Sequence, residues 1–309
     1  MGGIAIFLSF VSTLLIAFFI AQRLGRSTTF NPRGAVAFGL GVVIVFITGV
    51  IDDVKGLRPR TKLLCELLAA SVVVGIGGCQ AQFISTPWGP IDLGYGALPL
   101  TIFWIVGVTN AINLLDGMDG LAAGVVAIAL STILILVGSD HASAILAAIL
   151  IGCCIGFLVH NFHPATIFMG DSGSLVLGMS LGVLSTYANV KGSTSLVIAI
   201  PLLVVALPLT DIVLAMGRRY VRGLVPGNAR SHLAAFARMF APDRNHIHHK
   251  LLDAGLGQRQ AALVLLGAQG AAGIVAVYVA VRSASPVKSS AREAAAVVVS
   301  STVVRVDVK

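Results

Sequence analysis

Leu98-Pro-Leu-Thr-Ile-Phe-Trp-Ile-Val-Gly-Val-Thr109 runs straight into Asn110-Ala-Ile-Asn-Leu-Leu-Asp-Gly-Met-Asp-Gly120, and that in turn into the apolar run Leu121–Gly138. Two lengths of apolar chain, each close to what a bilayer core requires, thus meet at a loop that carries two asparagines and two aspartates. Charged and amide groups at such a depth are costly unless they line a polar cavity. A polar hairpin at the membrane surface is the plainer interpretation. Against it, Asp116 and Asp119 share one short loop with no cation nearby, and unpaired carboxylates repel unless a cation, commonly a metal, is borrowed.

Working outward, the whole chain follows the same pattern. It has 309 residues, 57% hydrophobic and 11% charged, with a mean hydropathy of +0.95. A soluble domain of this length does not carry so few charges, and apolar runs of roughly 18–20 residues recur along it. The expected fold is all-α, a polytopic transmembrane helical bundle of about nine spans, near 3–22, 35–51, 63–79, 97–115, 121–138, 143–159, 173–189, 195–217 and 260–281. One transmembrane domain (1–282) would carry catalytic loops at 52–62, 110–120, 160–172 and 218–259, followed by a poorly ordered Ser/Ala/Val-rich tail, 283–309. Cys65, Cys79, Cys153 and Cys154 lack metal-ligand spacing and read as packing residues.

Counting crossings places the polar groups. Asp52 and Asp53 follow span two, Asp116 and Asp119 span four, Asp171 span six, and the histidine-bearing loop span eight, so all leave the bilayer on one side. The even loops also hold twelve Lys and Arg residues, among them Lys55, Arg58, Arg60, Lys62 and Arg244, whereas the odd loops hold only Arg23, Arg26, Arg33 and Lys191. The positive-inside rule assigns that side to the cytoplasm. The net charge of +8 is therefore topological, and no nucleic-acid partner is expected. The longest odd loop, Gln80–Gly96, reads as an interfacial turn with aromatic anchors and no chemistry.

Three further constellations lie on the acidic face. In Asp52-Asp53-Val-Lys-Gly-Leu-Arg-Pro-Arg-Thr-Lys62, adjacent carboxylates tend to split their pKa values, so that one can act as a base, while the cations suit phosphate oxygens or anionic lipid. In Asn161-Phe-His-Pro-Ala-Thr-Ile-Phe-Met-Gly-Asp171-Ser-Gly-Ser174, a tight turn enters a helix whose N-terminus favours anions; Asp171 could be only a cap, and Phe168 offers a stacking face or plain packing. In Arg244-Asn-His-Ile-His-His-Lys250, flanking cations argue for an anion rather than a zinc site. His160 and His163 read as structural. Oxygen ligands with carboxylates suit Mg²⁺, with Mn²⁺ as a second possibility, and Mg²⁺ beside cations at a membrane surface indicates phosphoryl transfer. No Walker loop is present, so the chain is not a P-loop ATPase.

Taken in order, Asp52-Asp53, Asn110 to Gly120, Phe168-Met-Gly-Asp-Ser-Gly-Ser174 and His246-Ile-His-His249 resemble the polyprenyl-phosphate N-acetylhexosamine-1-phosphate transferases of glycosyltransferase family 4, from Met1 to about Leu265. Ile247 between the histidines is similar to the UDP-GlcNAc branch; the UDP-MurNAc-pentapeptide branch carries three consecutive histidines. The resemblance implies transfer of GlcNAc-1-phosphate from UDP-GlcNAc to undecaprenyl phosphate with release of UMP, at the cytoplasmic face of a bacterial inner membrane, in an enzyme that can be a homodimer. It implies Asp171 as Mg²⁺ ligand with Asn113 and Asp116 as partners, and Asp53, or else Asp52, as the group that orients or deprotonates the lipid phosphate. Asp119 with the Gly117–Met118 backbone would hold the uracil and Phe168 would stack on it. His248 and His249, with His246, would contact the pyrophosphate or sugar. Asn110, Asn113, Asn161, Lys55, Arg58, Arg60, Lys62 and Arg244 complete the implied substrate contacts. The family pattern also places one more helix and a Pro-Arg-x-Gly-Gly motif at the start, within which Met1-Gly2-Gly3 would fall. Asp211, inside span eight, is as consistent with a hydrogen bond to a neighbouring helix as with function. A Mg²⁺ or phosphate transporter, which would space acids through the bilayer midplane, and an inactive envelope-assembly scaffold are the alternatives.

Overall fold

The computed structural model describes residues 2–24, 32–86, 89–137, 142–187, short pieces between 205 and 221, and 247–303; for residues 83–90, 247–249 and 283–303 it describes backbone alone. Nine α-helices are described: α1 (Gly2–Arg23), α2 (Pro32–Lys55), α3 (Pro59–Gly77), α4 (Ala97–Leu115), α5 (Leu121–Val137), α6 (Ala142–Asn161), α7 (Asp171–Tyr187), α8 (Ile247–Asp253) and α9 (Gln258–Val303). The fold is an all-α polytopic membrane bundle. Five of the described helical segments, Gly2–Arg23, Pro32–Lys55, Gly94–Leu115, Ala142–Asn161 and Gln258–Arg282, are long and apolar enough to cross a bilayer. More than half of the expected span 195–217 lies outside the described residues, as do Arg244, His246 and Asp211.

Two departures from expectation have simple causes. Gln80–Gly96 contains a hairpin rather than a bare turn: β1 (Phe83–Thr86) pairs antiparallel with β2 (Gly89–Asp92), Phe83 opposite Asp92 and Thr86 opposite Gly89. The alternation that supports two strands is only four residues long, too short to register against the surrounding apolar runs. Helix α9 continues to Val303, past the end near 281 expected from composition; after Gly273 the sequence holds no further glycine to end it.

The helix that organises the bundle is α7. Every residue from Ser172 to Thr186 is buried, because α1, α2, α4, α5 and α6 all pack on it. A helix with no lipid-facing side is free to carry hydroxyls and glycines, and α7 does. Gly178 and Gly182, four apart, lie against Thr109 and Ile105 of α4, where an added Cβ would meet α4 backbone at 2.8 and 3.1 Å. Small residues at this spacing let two helices approach closely, which is how membrane helices gain packing without a hydrophobic driving force. At its C-terminal end, Trp104 Nε1 donates to Ser185 Oγ at 2.8 Å, and Cys79 Sγ lies 2.9 Å from Thr186 Oγ1. Its N-terminal end meets the loops that follow α2 and α4.

Candidate active site

The turn into α7 is built by glycine and completed from another helix. Gly170 has φ +71°, and a Cβ there would sit 2.8 Å from both carboxylate oxygens of Asp53. With that space left open, Asp53, at the end of α2, receives the free N–H groups of the α7 N-terminus: Asp171 N at 2.7 Å on Oδ1, and Ser172 N at 3.2 Å and Ser172 Oγ at 2.7 Å on Oδ2. A helix N-terminus carries partial positive charge and unpaired donors, so a carboxylate is stabilised there. Asp53, expected to orient or deprotonate the lipid phosphate, is in this structure an anion clamping α2 to α7, with both oxygens hydrogen-bonded.

Around that clamp the charges converge. Lys62, on the first turn of α3, places Nζ 2.7 Å from Asp52 Oδ2 and also on Asp171 Oδ2. Asp52 Oδ1 accepts the Leu57 backbone N–H, closing the 52–57 turn. Asn113 Nδ2 donates to Asp171 Oδ1 at 3.0 Å and to Ser174 Oγ at 2.8 Å. Asp116 receives the Gly170 backbone N–H; burial, then the charges of Asp171 and Asp53, push its carboxyl up from 3.8 to about 8. Four carboxylates therefore face one ammonium and one helix N-terminus. Acids separated by 119 residues of chain share one pocket, as the crossing count requires.

Whether these residues fit Mg²⁺ follows from the donors. They are hard oxygens in excess of the local positive charge, which suits Mg²⁺ rather than a soft metal. The ammonium bridging Asp52 and Asp171 marks a position that already holds a cation. Among the described residues no three acidic, imidazole or thiol groups are gathered at metal-binding distance, so ligation would require Lys62 to withdraw. Both N–H groups of Asn113 are engaged, leaving its Oδ1 as the only ligand atom it could supply.

Other expected site residues divide. Phe168 is 69% exposed and lines, with Asp53, Thr166, Ile167, Met169 and Gly170, a cleft of about 390 Å³ beside the clamp. Gly117, Lys55, Arg58 and Arg60 are exposed at the same lip. Asp119, expected at the uracil, pairs through Oδ2 with His163 Nδ1 at 2.9 Å and the Ala165 N–H at 3.2 Å, tying the α4–α5 loop to the loop before α7. Asn161, expected at substrate, is buried, its Oδ1 accepting the Gly120 N–H at 3.0 Å and its Nδ2 donating to Ile167 O at 2.9 Å. In this structure it joins two loops. Asn110 donates from Nδ2 to Glu66 Oε2 and, at 3.0 Å, to Val106 O. His248 and His249 belong to α8, of which the backbone alone is described there.

Sequence reasoning missed several residues. Gly2 N and Gly3 N donate to Phe168 O and Met169 O at 2.8 and 2.9 Å, and a Cβ on Gly3 would lie 2.2 Å from Gly173 N. Gly49 of α2 meets Ser172 in the same way, at 2.5 Å. Backbone thus rests on backbone all round the α7 N-terminus. For Gly2 and Gly3 the signal was the Pro-Arg-x-Gly-Gly pattern of the resemblance, which says nothing of their contacts; for Gly49 it was only that a glycine falls there, among 34 in the chain. Glu66, buried in α3, was read as part of an apolar span.

Residues 35–189 match the family model described as glycosyl transferase family 4, a stretch that contains every carboxylate of the site. Over 269 residues the chain is 38% identical to a probable undecaprenyl-phosphate N-acetylglucosaminyl 1-phosphate transferase of Bacillus subtilis, covering 86% of this chain and 68% of that protein. Over 290 residues it is 36% identical to a decaprenyl-phosphate N-acetylglucosaminephosphotransferase of Mycobacterium tuberculosis, with the same coverage. It is 40% identical to a phospho-N-acetylmuramoyl-pentapeptide-transferase of a Synechococcus strain over 176 residues, 52% of this chain and 48% of that one. The chain belongs to glycosyl transferase family 4, and it is a membrane transferase.

Proposed function

We propose that this family 4 transferase moves GlcNAc-1-phosphate from UDP-GlcNAc to undecaprenyl or another polyprenyl phosphate, releasing UMP, as the first membrane step of a cell-envelope glycan. The observation that carries the reading is the convergence of Asp52, Asp53, Asp116 and Asp171 with Lys62 at the α7 N-terminus, beside a cleft bearing an exposed Phe168. A surplus of carboxylates is unfavourable for folding alone; it is useful where a divalent cation and phosphates must be held together.

In this reading a phosphate oxygen of the lipid forms a bond to the sugar-bearing phosphorus of UDP-GlcNAc as the bond from that phosphorus to the UMP oxygen breaks. Asp171, with Asn113 and Asp116 as partners, would hold Mg²⁺ or Mn²⁺, which when bound offsets charge on the pyrophosphate. Lys62, released from Asp171, is placed to neutralise a phosphate oxygen. Asp52 shares Lys62, the Leu57 N–H and a side-chain hydrogen bond with Asp171. The Asp171 contact foremost, then Lys62 and Leu57, hold its carboxyl down at about 2, which suits it to orient the incoming lipid phosphate rather than to deprotonate it. Phe168 offers the uracil a stacking surface. Lys55, Arg58 and Arg60 add positive charge at the entrance, suited to a cytoplasmic membrane face. The GlcNAc reading is preferred to UDP-MurNAc-pentapeptide because Ile247 splits the histidines and the GlcNAc transferases align over 86% of the chain against 52%.

The test is UMP release by the purified chain in nanodiscs with polyprenyl phosphate and Mg²⁺. UDP-GlcNAc should support turnover and UDP-MurNAc-pentapeptide should not. Turnover with the pentapeptide donor alone would overturn the donor assignment, and none with either would sink the reaction.

A further inference from the structure

One ionisable group in the bundle has no place in that scheme. Glu66 is completely buried in α3, within the otherwise apolar stretch Leu63–Ala70. Its Oε2 accepts from Asn110 Nδ2, and its Oε1 has no hydrogen-bond partner. Burying a carboxyl that is only half satisfied is expensive, and an apolar pair of similar volume would pack α3 on α4 at lower cost. The carboxyl is therefore poorly explained by packing.

Its position suggests a task. Glu66 lies four residues after Lys62, on the same face of α3, and Asn110 lies three residues before Asn113, on the same face of α4. Lys62 and Asn113 both hold Asp171. Glu66 and Asn110 thus form a second tier, one helical turn beneath the first. Asn110 Nδ2 is doubly engaged, by Glu66 and by the Val106 carbonyl. The Val106 carbonyl only accepts, so the amide cannot flip without setting oxygen against oxygen, and the Glu66 carboxyl fixes the same nitrogen from the α3 side. What remains is Asn110 Oδ1, which has no partner among the described residues and is held in one direction.

We propose that Glu66 is a positioning residue of the transferase site: by accepting from Asn110 it locks that side chain so that its carbonyl oxygen receives a hydrogen bond from an N–H or hydroxyl of the nucleotide-sugar. The proposal rests on the transferase reading above. It assigns Glu66 no contact with substrate.

Steady-state kinetics in nanodiscs, with UDP-GlcNAc binding by calorimetry on the same samples, test it. Glu66→Leu should lower kcat/KM for UDP-GlcNAc by about 10- to 100-fold, the scale of one charged hydrogen bond, and leave KM for polyprenyl phosphate unchanged. Glu66→Gln, which keeps an acceptor, should recover to within about threefold of wild type. Asn110→Ala should match the Glu66→Leu loss, and the double variant should lose no more than either alone, as expected when one residue acts through the other. Should Glu66→Leu fold poorly, Glu66→Gln and Asn110→Ala with their double variant carry the same cycle. Full activity in Glu66→Leu, losses that multiply, or Glu66→Gln as impaired as Glu66→Leu would overturn the proposal while wild-type turnover stands. A wild type that neither binds UDP-GlcNAc nor releases UMP would overturn the transferase reading, and this proposal with it.

Discussion

The two ends of α7 are joined to their neighbours by different chemistry. At the C-terminal end the partners are neutral: Trp104 on Ser185, and Cys79 beside Thr186. At the N-terminal end four carboxylates and an ammonium crowd round the first turn. At the N-terminal end one carboxylate, Asp53, suffices to clamp α2 to α7, and the C-terminal end joins α4 and the segment after α3 to α7 with no charge at all. The charge at the other end is thus what folding does not explain, and it is where chemistry is to be sought.

Breaking that comparison begins with Asp171. Asp171→Asn should reduce UMP release by at least about a thousandfold, because it removes the carboxylate proposed to hold the cation that offsets charge on the pyrophosphate, while the melting temperature changes little. Retained UMP release would remove Asp171 from the centre of the site. Next come the glycines that let backbone meet backbone. Gly49→Val should both destabilise the chain, by about 1–3 kcal/mol, and reduce turnover at least tenfold, since the Ser172 backbone must move. Gly75→Ala, facing open space in α3, should leave turnover unchanged and slightly stabilise the helix. Equal effects from the two would mean that the α7 N-terminus tolerates displacement.

A pH measurement sharpens the contrast. Because the Asp116 carboxyl is raised to about 8 when folded, the folded, metal-free protein keeps a proton that the unfolded chain loses near pH 4. Stability from this group is therefore greatest at low pH and falls as pH rises towards 8, by an amount on the order of 1 kcal/mol per unit. Melting in EDTA from pH 5.5 to 8.5 should show a shallower fall for Asp116→Asn than for wild type; parallel curves would refute the assignment. The smallest effect belongs to the neutral end. Trp104→Phe should cost about 1 kcal/mol in a melting experiment and leave turnover within about twofold. A large kinetic loss there would mean that the two ends are coupled.

Much of this was legible in the chain. Spans four and five coincide with α4 and α5 to within one residue, because each apolar run stops at the polar loop between them. Asp52, Asp53, Asn113, Asp116 and Asp171 were all marked as site residues. What the sequence did not show was the partners. Asp53 as a cap on α7, Asn161 as a brace between loops and Asp119 held by His163 depend on side chains 40 to 120 positions apart. The spacing that identifies an acid says nothing of which donors will surround it.

Hydropathy and charge asymmetry settled the spanning architecture and the sharing of one face by the acids, since crossing a bilayer is decided locally, one segment at a time, and parity is arithmetic. Which oxygen meets which hydrogen was left to packing. Gly2, Gly3 and Gly49 admit the α7 N-terminus at backbone contact distance, and Glu66 reaches Asn110 across α3 and α4. Such contacts exist only once several helices fix a common geometry, and no window of sequence contains them.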